Sequence, residues 1–222
     1  MPVLSRVSSS LVRISFSTLR GTRQSLLVGV GAAALGTAIG VTVGLVAAFW
    51  RGWVDALLMR LVDVTLIVPA LVVVLVVAGS TRGTSWLRVA VLIGVVTWPR
   101  PARLVRGLAL AEREQGYVDA AQAMGFRPRR ILFRHVLLNV APAVAIDATF
   151  AVTVAILSEA TLSFLGLGFT VPDTSLGLLV SAGQPAISTR PWLFYIPGAF
   201  LTVLCVLVHV IGDGLRAALA AR

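Results

Sequence analysis

Apolar runs dominate the chain, and their spacing predicts five long helices over about residues 26–49, 54–78, 86–110, 140–165 and 192–211. Each approaches the roughly 20 apolar residues that a helix needs to cross the ~30 Å hydrocarbon core of a bilayer. One long polar stretch interrupts them, Glu112 to Asn139, reading EREQGYVDAAQAMGFRPRRILFRHVLLN. Within it YVDAAQAM favours helix, Gly125 suits the left-handed residue that ends one, and Pro128 suits the first turn of the next. The expected fold is therefore an all-α, polytopic transmembrane bundle over residues 25–222, with a helix-turn-helix at 111–139 projecting from it.

Residue types inside the runs refine this picture. In the first, Ala32, Gly36, Gly40, Gly44 and Ala48 recur every fourth position and form a smooth stripe. Such spacing lets helix backbones approach closely, so Gly36, Gly40 and Gly44 are expected to pack helices within the bundle, or at a subunit interface. In the second run Arg60 and Asp63 are three apart and are expected to pair, and Pro69 is expected to kink the helix. The third is broken by Pro99 and Pro101, and Trp98, Arg100, Arg103 and Arg106 place its second half at the interface. The fourth holds Asp147 and Glu159, and carboxylates inside a membrane are expensive. Asp147, near the loop end, is expected to cap or snorkel. Glu159 and Ser163 are candidates for lining a water-filled path, with a structural hydrogen bond inside the bundle as the alternative. Residues 169–191 are expected to form a polar, turn-rich connection with Pro172, Pro185 and Pro191. Gly212, Asp213 and Gly214 are expected to end the fifth run before a short helix.

Composition excludes several functions. The chain has 222 residues, a mean hydropathy of +0.95 and a formal charge of +10, and all nineteen of its basic residues are arginine. Without lysine there is no GxxxxGK[ST] loop to hold nucleotide phosphates, so energy for any pumping must come from elsewhere. The arginines flank apolar spans and build no soluble basic domain, which argues against nucleic acid as a partner. A single cysteine, Cys205, allows neither an intrachain disulfide nor a cysteine-based metal cluster. Residues 1–24 carry Arg6, Arg13, Arg20 and Arg23 without a continuous hydrophobic core, and read as an interfacial amphipathic segment with Val3, Leu4, Val7, Leu11, Ile14 and Leu19 on one side. Eight arginines between Arg100 and Arg134 place the large loop in the cytoplasm, and alternation puts the C-terminus there too. The same alternation puts the arginine-bearing N-terminus outside, against the positive-inside rule.

Asp119, Ala120 and Ala121, then Gly125, then Ile131 follow a spacing that resembles the EAA loop of ATP-binding cassette importer permeases. With EATLSFLGLG at Glu159–Gly168, LMRLVDV at Leu58–Val64 and GDGLR at Gly212–Arg216, the chain is similar to the dipeptide, oligopeptide and nickel branch of that family from about Arg23 onward. The resemblance implies a non-catalytic permease subunit of the inner membrane. Its partners would be a second permease, two ATPase subunits carrying ATP and magnesium, an extracytoplasmic binding protein and membrane lipid. It further implies that Tyr117, Asp119, Ala120, Ala121, Ala123, Met124, Gly125, Arg127, Arg129 and Arg130 form the ATPase-coupling surface. The chain departs from the pattern in having Asp119 where the family usually has glutamate, and Leu137-Leu138 where Leu-Pro is common. Relatives of this branch are similar to six-span proteins, and the first of those spans is expected to lack a counterpart here.

Two other readings remain open on residues alone. A proton-coupled transporter would use Asp147 or Glu159, and a membrane-embedded enzyme would need a nucleophile with a base. His135 and His209 are in no recognisable catalytic setting and read as structural.

Overall fold

The computed structural model describes the backbone of residues 2–80, 85–169 and 173–220, and side chains between 16 and 219 within those ranges. The expected apolar face at Val3, Leu4, Val7, Leu11 and Ile14 lies outside the described side chains, as does Pro172. All regular structure among the described residues is helical. The order is α1 Pro2–Trp50, α2 Gly52–Ile67, α3 Ala70–Ser80, α4 Trp86–Thr97, α5 Pro99–Arg113, α6 Gly116–Ala123, α7 Pro128–Ile131, α8 Leu137–Phe164, α9 Leu176–Gly183 and α10 Trp192–Ala220. A π-turn, Leu132–Val136, joins α7 to α8 without a break, so one helical rod runs from Pro128 to Phe164.

Among the described residues, three helices are long and apolar enough to cross a membrane: Phe16–Trp50 of α1, Pro128–Phe164 and Trp192–Leu219 of α10. The pair α2–α3 is a fourth if taken as one span, bent by 78°. Pro69 causes the bend by lacking an N–H, and Val68 before it is extended at φ −79°, ψ 124°. Proline acts again where residues 86–110 divide into α4 and α5 at Trp98, with Pro99 at the first position of α5.

α1 is the central post, packed along α4, α5 and α8. Its glycine stripe makes that possible. A Cβ on Gly36 would lie 2.8 Å from the Thr97 hydroxyl, one on Gly40 2.6 Å from the Pro101 ring, and one on Gly44 2.6 Å from the Ala102 carbonyl. The stripe thus brings α1 against α4 and α5 of its own bundle. Two apolar clusters follow: Val28, Ala32, Ile93 and Leu162 at one end, and Leu45, Val105, Val118, Ile131 and Val136 at the end bearing α6 and α7. Outward faces are apolar as well, for example Leu61, Val76, Val203 and Leu207, as suits a chain whose solvent is hydrocarbon.

Three expectations are corrected. The connection at 169–191 contains α9, because LGLLVSAG is apolar and Ser175 caps it by accepting a hydrogen bond from the Leu178 N–H at 3.2 Å. α10 does not stop at Gly212–Gly214 but continues to Ala220; Gly212 sits where a Cβ would come 2.5 Å from the Thr149 hydroxyl, so close packing on α8 offsets its poor helix propensity. Arg60 does not pair with Asp63. Asp63 instead meets Arg103 of α5 at 2.5 Å, and Asp55 holds Arg106 through both carboxylate oxygens at 2.5 and 2.6 Å. Arg103 and Arg106 are three apart and face α2 together, which sequence separation concealed.

Candidate functional site

The helical hairpin made by α6 and α7 is built on a glycine. Gly125 has φ +78°, its N–H reaches the Gln122 carbonyl at 2.9 Å, and the Phe126 N–H reaches the Ala121 carbonyl at 3.1 Å. This is the Schellman ending, which satisfies two carbonyls that α6 would otherwise leave open and favours a residue without a Cβ at the left-handed position. Pro128 then starts α7.

Two sets of contacts fasten the hairpin to the bundle. Val118 and Ala121, on one side of α6, are 0% and 4% exposed and pack with Val105, Ile131 and Leu132. Polar contacts do the rest: the Tyr117 hydroxyl donates to Glu112 at 2.7 Å, and Asn139 donates to the same Glu112 oxygen at 2.6 Å and to the Tyr117 oxygen at 3.0 Å. Burial and the adjoining Glu112 carboxylate push the Tyr117 hydroxyl up to about 12. Tyr117 is therefore a neutral donor at ordinary pH. The end of α1 is held too, since Arg113 donates to the Ala48 and Phe49 carbonyls at 2.6 and 3.1 Å.

The opposite side of the hairpin is open. Asp119, Ala120, Ala123, Met124, Gly125, Arg127, Arg129 and Arg130 are exposed, and the Arg130 guanidinium stacks 4.9 Å from the Phe126 ring centre. Of the ten expected coupling residues, nine are exposed, Tyr117 among them at 37%, and Ala121 is buried. Ala121 is corrected: it faces inward, because α6 buries that side against the bundle. Tyr117 remains accessible while its hydroxyl braces the hairpin through Glu112 and Asn139.

Glu159 and Ser163 do not line a path. They are 0% and 1% exposed, and neither borders a described cavity. Glu159 accepts from Ser25 of α1 at 2.8 Å and from Ser163 at 2.6 Å, Ser175 donates to Ser163 at 3.1 Å, and the Leu176 N–H reaches Ser25 at 3.3 Å. The carboxylate is a knot tying α1, α8 and the start of α9, and these hydrogen bonds offset its burial.

Asp147 is corrected in the other direction. It neither caps nor snorkels, but borders a cavity of about 240 Å³ between α1, the α2–α3 break, the α4–α5 junction and α8. Arg100 lines the same space, with Thr37, Thr65, Thr97 and Phe150. This cavity is hidden in the sequence because its walls come from four separated segments; the only local signal is an intramembrane carboxylate without a neighbouring partner.

The chain as a whole is similar to known proteins. The family model described as "Binding-protein-dependent transport system inner membrane component" matches residues 40–221. The oligopeptide transport system permease protein OppC of Mycobacterium tuberculosis (strain ATCC 25618 / H37Rv) is 40% identical over 203 residues, covering 91% of this chain and 70% of that protein. OppC of Bacillus subtilis (strain 168) is 38% identical over 200 residues, covering 90% and 65% respectively. A chain from the inward-facing MetNI methionine ABC transporter shares the fold, with a TM-score of 0.74 at 22% identity over 92% of this chain and 97% of its own length. The chain belongs to the inner membrane components of binding-protein-dependent transport systems, the permease subunits of ABC importers.

Proposed function

We propose that this chain forms, with a second permease, the pathway of an ATP-driven importer of short peptides, and that the α6–α7 hairpin couples it to cytoplasmic ATPases. The peptide cargo is supported by the names of the OppC relatives at 38–40% identity. ATP and magnesium act on the ATPase subunits, an external binding protein delivers the solute, and this chain performs no chemistry. The observation that carries the coupling role is the two-sided hairpin: Val118 and Ala121 sunk in the bundle, Asp119, Ala123 and Met124 exposed.

The geometry converts a push into an opening. The hairpin connects α5 on one side with the continuous rod through α8 on the other. Those two helices carry Arg100 and Asp147 of the cavity. Closure of two ATPases around ATP displaces the hairpin, and the displacement changes the distance between these walls as a rigid-body movement. The π-turn at Leu132–Val136 lies where this force enters α8, a placement typical of functional π-bulges.

The test is ATP-dependent peptide uptake by the reconstituted complex. Gly125→Ile should abolish uptake while membrane insertion and yield are kept, because a β-branched residue resists φ +78°. Undiminished uptake would remove the hairpin from the coupling path.

A further inference from the structure

Arg100, Arg103 and Arg106 leave α5 at three-residue spacing, and the structure neutralises only two of them. Arg106 is held by Asp55 and Arg103 by Asp63. Arg100 has no carboxylate within ion-pair distance among the described residues, although it acts electrostatically on Asp147 across the cavity that both line. Asp147 in turn accepts no hydrogen bond from any described residue. Two opposite charges thus border one space without closing on each other, Arg100 exposed and Asp147 half-buried.

Further polar groups face the same space. The Thr37 hydroxyl is shielded from solvent and has no hydrogen-bond partner, while lining the cavity from α1. Thr65 spends its proton on the Leu61 carbonyl at 2.8 Å, which leaves its oxygen free to accept. The break at Val68–Pro69 also borders the cavity, and non-helical backbone at membrane depth is tolerated where it lines such a space. Phe150 closes one side, its ring already occupied by His209 at 5.0 Å and Arg216 at 5.6 Å. Only Asp147 and Arg100 among the lining residues bear charge.

We propose that this cavity is a subsite for an ammonium group of the passing solute, bound at the Asp147 carboxylate, with Arg100 taking a carbonyl or carboxylate oxygen of the same solute. The cavity is smaller than the ~300–1,000 Å³ of a site that encloses a drug-sized ligand, so it fits an end group and its first residue and not a whole peptide. The subsite rests on the peptide-importer reading and gives the pathway a polarity. Asp147 is on α8 and Arg100 on α5, so movement of the hairpin between these helices changes the separation of the two charges and releases what they hold. The ammonium is either the peptide's own amino terminus or a lysine side chain.

The experiment is uptake of three labelled peptides, trialanine, N-acetyl-trialanine and N-acetyl-Ala-Lys-Ala, by the complete importer in proteoliposomes. Wild type, Asp147→Asn and Asp147→Glu are compared, with co-purification of the partner subunits confirming assembly of each. Asp147→Asn is expected to lower trialanine uptake by at least about tenfold and to leave any N-acetyl-trialanine uptake within about twofold, the loss expected when a hydrogen-bonded charge goes unmet. Asp147→Glu keeps the carboxylate and should retain most of the trialanine rate. A matching Asp147-dependent loss with N-acetyl-Ala-Lys-Ala identifies side-chain ammonium as a ligand; a loss confined to trialanine identifies the amino terminus. Equal uptake of trialanine by wild type and Asp147→Asn overturns the subsite while leaving peptide import intact. Wild type that imports no peptide at all overturns both.

Discussion

The Glu159 carboxylate shows how one side chain can stabilise a membrane bundle. It receives hydroxyls from Ser25 and Ser163, and through Ser175 and Leu176 it fixes the start of α9 against α1. Glu159→Ala leaves these donors unmet in a dry interior and should destabilise the chain by about 1–3 kcal/mol, read as an earlier melting transition in detergent. Ser25→Ala removes one donor and should cost less. Glu159→Ala that melts with wild type would mean the knot carries no stability. Tyr117 offers a milder case. Its hydroxyl is held protonated in the fold, raised from 10.0 to about 12, so its contribution is complete below pH 10 and is lost only as the pH climbs through 12. Tyr117→Phe should therefore weaken the hairpin brace by about 1 kcal/mol, equally at pH 6 and pH 9. A pH-dependent difference between the two proteins within that range would contradict this assignment. At this scale the residue types were legible in the sequence and their partners were not: Asp63 and Arg103 are 40 positions apart, Ser25 and Glu159 134. Arg60 was the nearer but wrong choice for Asp63, because the row of arginines on α5 is brought to α2 only by folding.

Helices were legible where local chemistry dictates them. Pro69 and Pro99 break their runs because proline lacks a donor, and Gly125 turns the hairpin because its left-handed φ favours a residue without a Cβ. α9 was not legible, nor was the continuity of α10 through Gly212–Gly214, where close packing of Gly212 on Thr149 joins the fifth run to the short helix expected after it. Close packing of α1 makes a sharp contrast between two glycines. Gly40→Val would press on the Pro101 ring and the Ala102 backbone and should destabilise by about 1–3 kcal/mol. Gly107, on α5, has open space around its would-be Cβ, and Gly107→Ala should stabilise by up to about 1 kcal/mol. Thermal unfolding of the two variants in one detergent decides the matter; similar shifts for both would deny that the stripe sets the α1–α5 distance.

For the whole molecule, α5 and the Pro128–Phe164 rod run between the hairpin and the charged cavity, and the proposed coupling treats them as one mechanical path. The hairpin was legible as a single polar interruption in an apolar chain. The cavity was not, since no one segment contains it. The central claim is that the exposed side of the hairpin is gripped by an ATPase, and site-specific photocrosslinking tests it most directly. A benzophenone amino acid replaces Met124, 66% exposed at the hairpin tip, and for comparison Val206, 54% exposed on α10. In the assembled importer, position 124 should yield an adduct with the mass of this chain plus an ATPase subunit, and position 206 should not. Absence of that adduct from position 124 in a complex that still transports would contradict the account.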